Sequence, residues 1–223
     1  MQHWWPPSGT FHRMSGDWFR NTTWNAEIER AFMEKLERAR SQRDQYLAIQ
    51  TLTIAPHDGD IALRLAELFF ETRKDTFQDV RVLDAIAAAQ LTRGDLRACL
   101  GAYKRAISRK HSDGSIAWPS QGLLEFPYLV AVHRVRDEYD AALAFLDQTD
   151  DGGIFPAARF KVSATKAMVM ADMGRRDEAK AHAKSALANA KLENSGLPSH
   201  PTLGLVGHGH LRLKWRLRRI AYL

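Results

Sequence analysis

Cysteine is almost missing from this chain of 223 residues: Cys99 is the only one. No internal disulfide can staple the fold, and the composition suits a reducing compartment better than a secreted framework. Long apolar runs are missing too. No segment approaches the roughly 18 apolar residues of a membrane-crossing helix, and the opening Met1-Gln2-His3-Trp4-Trp5-Pro6-Pro7 lacks the apolar core of a secretion signal. The expected location is the cytoplasm. Strand-like alternation does not occur before residue 211, which argues against a sheet. Enzymatic signatures are lacking as well: there is no glycine-rich phosphate loop, no Gly-x-Ser-x-Gly elbow and no His-Glu-x-x-His. Asp58 and Asp60 flank Gly59, yet the further carboxylates and distal glutamate of a calcium loop do not follow.

Acids are unevenly spread. The net charge is +6, and residues 211–223 hold Arg212, Lys214, Arg216, Arg218 and Arg219 with no Asp or Glu. That tail supplies all but one of the six charges, so an electrostatic partner would be recruited by the tail and not by the whole surface. What the chain does have is apolar material. Hydrophobic residues make up 45% against 26% charged, far from the signature of disorder and sufficient for a buried core.

The apolar residues recur with helical spacing along most of the length. Residues 1–24 are the exception: Trp4, Trp5, Trp18 and Trp24 stand among Pro, Gly and Ser without a period. They read as an extended arm whose aromatics cover an end of the helical stack. Asn25 then offers an N-cap, with Glu27 and Glu29 placed to complement the helix dipole. Ile28, Phe32, Leu36 and Ala39 mark the first helix. Tyr46, Leu47, Ile49 and Ile54 mark a second, which must stop at Pro56. His57-Asp58-Gly59-Asp60 caps a third, carrying Ile61, Leu65, Leu68 and Phe69. A fourth spans about 76–93, and Gly94-Asp95 opens a fifth that runs to about Lys110. Residues 111–122 read as a loop. Two hairpins follow, 123–134 with 139–148 and 155–173 with 177–192, parted by Asp150-Asp151-Gly152-Gly153.

Three of these hairpins share a pattern. Leu83, Ile86 and Ala87 precede Gly94-Asp95-Leu96, then Cys99, Tyr103 and Ala106. Phe126, Leu129 and Val130 are followed by Tyr139, Ala142 and Leu146, and Ala167 and Met170 by Gly174, Ala179, Ala183 and Ala186. Small residues stand where paired helices must approach and larger ones where they must fill space. This resembles the tetratricopeptide repeat over about residues 80–192, with a weaker version from Tyr46 to Phe70. Aligning the turns at Gly94, Asp137 and Gly174 gives intervals of 43 and 37, against the family's regular period of about 34. Gln90 and His133 replace the usual apolar residues, and the closing proline is absent after the fifth helix. An unrelated bundle of paired helices is the alternative. The resemblance implies an all-α fold in which antiparallel helical hairpins stack as a short, right-handed, tetratricopeptide-like solenoid. It also implies a concave face that receives a partner peptide or helix, formed by Arg81, Asp84, Leu91, Arg134, Lys161, Met168 and Asp172.

Three segments follow: an arm, 1–24; a helical repeat domain, 25–194; and a Gly/His loop with the basic tail, 195–223. At about 1 kcal/mol per basic residue near an anionic membrane, the five tail charges give roughly 5 kcal/mol, an affinity of only about 0.2 mM. In a helix Leu213, Leu217 and Ile220 share one face while Leu211 and Trp215 share another. Packing of that helix on the last hairpin, with solvated arginines, is the simpler reading, and a tether to nucleic acid or anionic membrane is the other. His200, His208 and His210 have no Cys, Asp or Glu in residues 195–223 to complete a zinc site, so no metal and no cofactor is expected. Cys99, at a small-residue position, is expected to be buried and inert. The leading functional expectation is a non-catalytic protein-interaction module. The alternatives are an adaptor tethered through the tail and, third, an enzyme with a pocket around the histidines.

Overall fold

A computed structural model describes residues 17–109, 119–149, 152–207 and 210–222. These residues form ten α-helices and no strand. The Trp4-Trp5 part of the arm, most of the 111–122 loop, the Asp150-Asp151 pair and His208 lie outside the described residues. Contacts divide the chain into two compact units, parting after Gly122. The division falls inside the stretch expected to be one repeat domain.

In the first unit α1 (Ala26–Arg38), α2 (Arg43–Ile54), α3 (Gly59–Thr72), α4 (Asp79–Thr92) and α5 (Leu96–Ile107) follow one another. Capping residues set where they start. Asn25 Oδ1 accepts from the Ile28 amide at 2.9 Å, Asp58 Oδ1 from Ile61 at 3.0 Å and Asp95 Oδ1 from Ala98 at 2.9 Å. Adjacent helices pack in order, and α2 also meets α4. Phe32, Leu36, Leu47, Ile54, Leu65, Phe69 and Val82 form the core. Gly59 is required where α3 begins, because a Cβ there would lie 2.6 Å from the Ala89 carbonyl oxygen of α4.

The described part of the arm belongs to this core. Trp18 packs its ring on Phe32 and Tyr46 at 5.4 and 5.0 Å. Gln50, fully buried on α2, accepts from the Asn21 amide at 2.8 Å and donates to the Asn21 carbonyl at 2.8 Å. At the other end of the unit the Asp79 carboxylate, buried at the start of α4, is held between Arg73 Nε, at 2.9 Å, and Arg109.

The second unit contains α6 (Gly122–His133), α7 (Tyr139–Leu146), α8 (Pro156–Asp172), α9 (Arg176–Asn189) and α10 (Leu211–Tyr222). Phe126 of α6 meets Phe145 of α7 edge-on at 5.2 Å. α8 packs on α7 and α9, and α10 lies against both α8 and α9. Residues 195–207 are tied to the start of α8, where the Gly204 carbonyl accepts from the Ala157 amide at 2.8 Å.

Helix ends reveal a period that the sequence reading missed. α4, α6 and α8 each finish in the same turn: a residue with φ of 82°, 55° and 80° at Gly94, Arg134 and Gly174, and a backbone bond reaching back five residues. Those bonds are Asp95 to Gln90 at 2.9 Å, Val135 to Val130 at 3.0 Å and Arg175 to Met170 at 2.9 Å. The residue equivalent to the two glycines is therefore Arg134. Asp137 lies beyond it in a short 3₁₀ turn, Arg136–Glu138. The unequal intervals of 43 and 37 become a constant 40 between residues 94, 134 and 174. Buried ladders keep the same step: Cys99, Tyr139 and Ala179, then Ala106, Leu146 and Ala186.

Candidate partner-binding surfaces

The seven residues expected on one receiving face are distributed over both units. Arg81, Asp84 and Leu91 lie on α4 of the first unit, while Arg134, Lys161, Met168 and Asp172 belong to the second. Three of the seven are corrected by burial. Met168 is 0% exposed and Lys161 3%, so Met168 provides no surface anchor and Lys161 no free charge. Asp84 is also buried. Its Oδ1 accepts from the Ser120 hydroxyl at 2.6 Å and its Oδ2 from the Gln121 amide at 3.0 Å.

What α4 does present is a cleft of about 160 Å³ beside Arg81, walled by Leu52, Phe77, Val80, Pro119 and Gln121, with Asp84 below. The positions 78, 81 and 84 follow the three-residue spacing of one helix face. Arg81 Nη1 donates to Gln78 Oε1 at 2.6 Å. Among the described residues no carboxylate pairs with this half-buried guanidinium. Burial, with Arg20 nearby, draws its pKa below the ordinary arginine value, and a guanidinium stays charged throughout the working range. Phe77, exposed at the rim, supplies an aromatic wall. The cleft therefore offers one unmatched cation beside apolar surface. A wider depression of about 410 Å³ lies between Trp18, Lys35, Arg38, Arg40 and Tyr46. Its cations are long and exposed, so it offers charge with little enclosed surface.

In the second unit the charged residues form joints. Lys161 sits between the carboxylate of Glu125 and the ring of Tyr128, 4.7 Å from its centre. Burial pushes the ammonium pKa down and Glu125 opposes this. Burial, then Glu125, pushes the Tyr128 phenol up. Asp172, at the end of α8, accepts from Tyr139 Oη at 2.8 Å and faces Arg134 at 3.5 Å and Arg216 at 3.9 Å. One carboxylate thus links α7, α8, the end of α6 and α10.

The basic tail is helical, and its five cations are not equivalent. Arg216 turns inward to Asp172, and burial pulls its pKa down against that carboxylate. Lys214 is half-buried and reaches the Gly207 carbonyl at 3.4 Å. Arg212, Arg218 and Arg219 stay exposed. Leu217 and Ala221 are buried against the unit. Among the described residues no three His, Cys, Asp or Glu side chains come together. His210 lies against Phe160, ring centres 5.8 Å apart, and burial, followed by Lys214 and Lys161, lowers its pKa. Cys99 is buried in α5. No helix among the described residues is long and apolar enough to cross a membrane.

No family model matches the chain, and neither does any curated protein or solved structure. The surfaces themselves are therefore the evidence for a role. Sequence reasoning named Arg81 and Asp84 but missed Phe77, Leu52 and Gln78, which complete the cleft. Phe77 falls within the expected fourth helix, about 76–93, whereas α4 begins only at Asp79, and Leu52 carries no signal of its own.

Proposed function

We propose that the protein is a non-catalytic interaction module whose cleft beside Arg81 receives a polypeptide segment bearing a carboxylate next to an aliphatic or aromatic side chain. In this reading the helical hairpins are of the tetratricopeptide kind and stack as a short right-handed solenoid. The 40-residue recurrence of hairpin ends and buried ladders supports the repeat character. The observation that carries the binding role is Arg81: a half-buried cation, hydrogen-bonded to a neutral carboxamide, set in a cleft of mixed apolar and polar lining. Such a group gains a charge-assisted, two-pronged hydrogen bond when a carboxylate enters. The module holds its partner and performs no chemistry on it.

Panning a random displayed-peptide library against the purified chain tests this. Peptides pairing Asp, Glu or a terminal carboxylate with an apolar neighbour should be enriched. Their affinity should fall at least about tenfold in Arg81→Gln, the loss expected for one charged hydrogen bond. If no sequence is enriched, or if the selected peptides bind the variant equally well, the cleft is not the receiving site.

A further inference from the structure

α10 has two unlike sides. Its inner side is committed to α8 and α9 through Leu217 and Ala221, and to Asp172 through Arg216. Its exposed positions are Leu211, Arg212, Trp215, Arg218, Arg219 and Tyr222. Steps of one or three residues place all six on a single stripe along a helix about 18 Å long. Leu211, Trp215 and Tyr222 are 74%, 60% and 68% exposed, so three large apolar side chains face water on one line. The other three members are arginines, and α10 contains no acid.

We propose that this stripe lies on an anionic lipid surface, with α10 parallel to the membrane plane and held there by the unit behind it. The stripe asks for a partner that accepts apolar side chains and carries dispersed negative charge along the whole length of the helix. A bilayer interface has both properties. Aromatic rings favour the headgroup boundary, aliphatic side chains enter the acyl edge, and arginines bury their stems while keeping their charge at the phosphates. Because the inner side is already packed, only the outer side chains enter, and the contact is shallow. Three exposed arginines supply less attraction than the five in the sequence, which makes the apolar row indispensable. A nucleic-acid strand suits the stripe less well. Base stacking needs open aromatic faces, whereas the Arg219 guanidinium already lies 5.2 Å from the Trp215 ring centre, and Leu211 offers no such face. This surface is separate from the Arg81 cleft and stands without it.

Co-sedimentation of the full chain with vesicles decides the matter. The probe is phosphatidylcholine containing about one third phosphatidylserine, beside phosphatidylcholine alone. Partitioning should favour the anionic vesicles by at least about 100-fold and weaken as salt is raised. The double reversal Arg218→Glu/Arg219→Glu should cost on the order of 100-fold. Trp215→Ala, a change to a mostly solvated ring, should cost about tenfold with the far-ultraviolet circular dichroism unchanged. Equal partitioning into both vesicles, no partitioning, or anionic binding indifferent to both variants overturns the proposal. So does a single-stranded oligonucleotide bound more tightly than the anionic vesicles with the same dependence on Trp215 and the two arginines.

Discussion

Tyr139 and Asp172 stand 33 residues apart in sequence, yet the phenol donates to Asp172 Oδ2 at 2.8 Å in the second unit. Burial, followed by that carboxylate, pushes the Tyr139 pKa up to about 12. The folded phenol thus holds its proton more firmly than an unfolded one near pH 10. The stabilisation is complete below about pH 10 and is lost as pH rises from there toward 12. After allowance for solvent screening, that rise is worth at most about 2 kcal/mol. Alkaline denaturation followed by circular dichroism should begin above about pH 10 and be markedly flatter in Tyr139→Phe. A variant with the wild-type slope would place the alkaline sensitivity in another residue.

The three matched turns make a prediction of opposite sign at two of them. Gly94 has φ of 82° and a Cβ there would touch nothing within 4 Å, so Gly94→Ala tests backbone conformation alone and should cost about 1 kcal/mol. Arg134 occupies the same left-handed position with a side chain. Arg134→Gly relieves that strain and loses a long ion pair, at 3.5 Å, whose arginine is exposed and whose Asp172 keeps Tyr139 and Arg216, so it should stabilise by about 0.5 kcal/mol. Urea denaturation of both variants checks the pair, and destabilisation by the glycine would show the Arg134–Asp172 contact to be the stronger effect.

Much of the helical order is legible in the residues because its causes are local. Asn25, Asp58 and Asp95 cap the helices they precede, and Pro56 ends α2 as proline must. Arg134 was illegible for an equally local reason. Arginine carries no signal for a left-handed turn, so Asp137 is the residue that resembles a turn there and the even spacing of 94, 134 and 174 stays hidden. The parting of two units at Gly122 depends on which contacts form at long range. Residue types in one loop do not encode that.

The pair of buried Lys161 and half-buried Glu125 carries a test of its own. Glu125→Gln takes the facing carboxylate from a buried ammonium and should cost about 3 kcal/mol. Replacing both, as Lys161→Met with Glu125→Leu, removes the buried ammonium together with its half-buried carboxylate and should be nearly neutral. Thermal melts of the two single variants and the double complete the cycle. Additive losses in the double variant would mean that the two residues act independently.

The candidate site was less legible than the fold, and Met168 shows why. A helix with neighbours on one side keeps a solvated face, and that was the assumption which turned Met168, Lys161 and Asp172 outward. α8 instead meets α7, α9 and α10, and the return of α10 removes much of the face left over. Its return depends on Leu217, Ala221 and Arg216 finding α8 and α9, a tertiary event that helical periodicity alone does not specify. Arg81 keeps partial exposure because α4 leaves that flank partly open.

Gln50 offers the sharpest probe of how the aromatic segment is held. Its carboxamide both accepts from and donates to the backbone of Asn21, and it is fully buried while doing so. Gln50→Leu keeps the volume but leaves the Asn21 amide and carbonyl unmatched, at a cost of about 2 kcal/mol. The loss should be local, since Trp18 and Trp24 remain attached by ring packing on Phe32 and Tyr46 and by the hydrogen bond from Trp24 Nε1 to Glu29. Limited trypsin digestion should then cut at Arg20 well before the helices unfold, accompanied by a red shift of tryptophan emission. Cleavage at Arg20 no faster than in the parent chain would mean that the stacked rings, and not the Gln50 clamp, fasten residues 17–24 to the core.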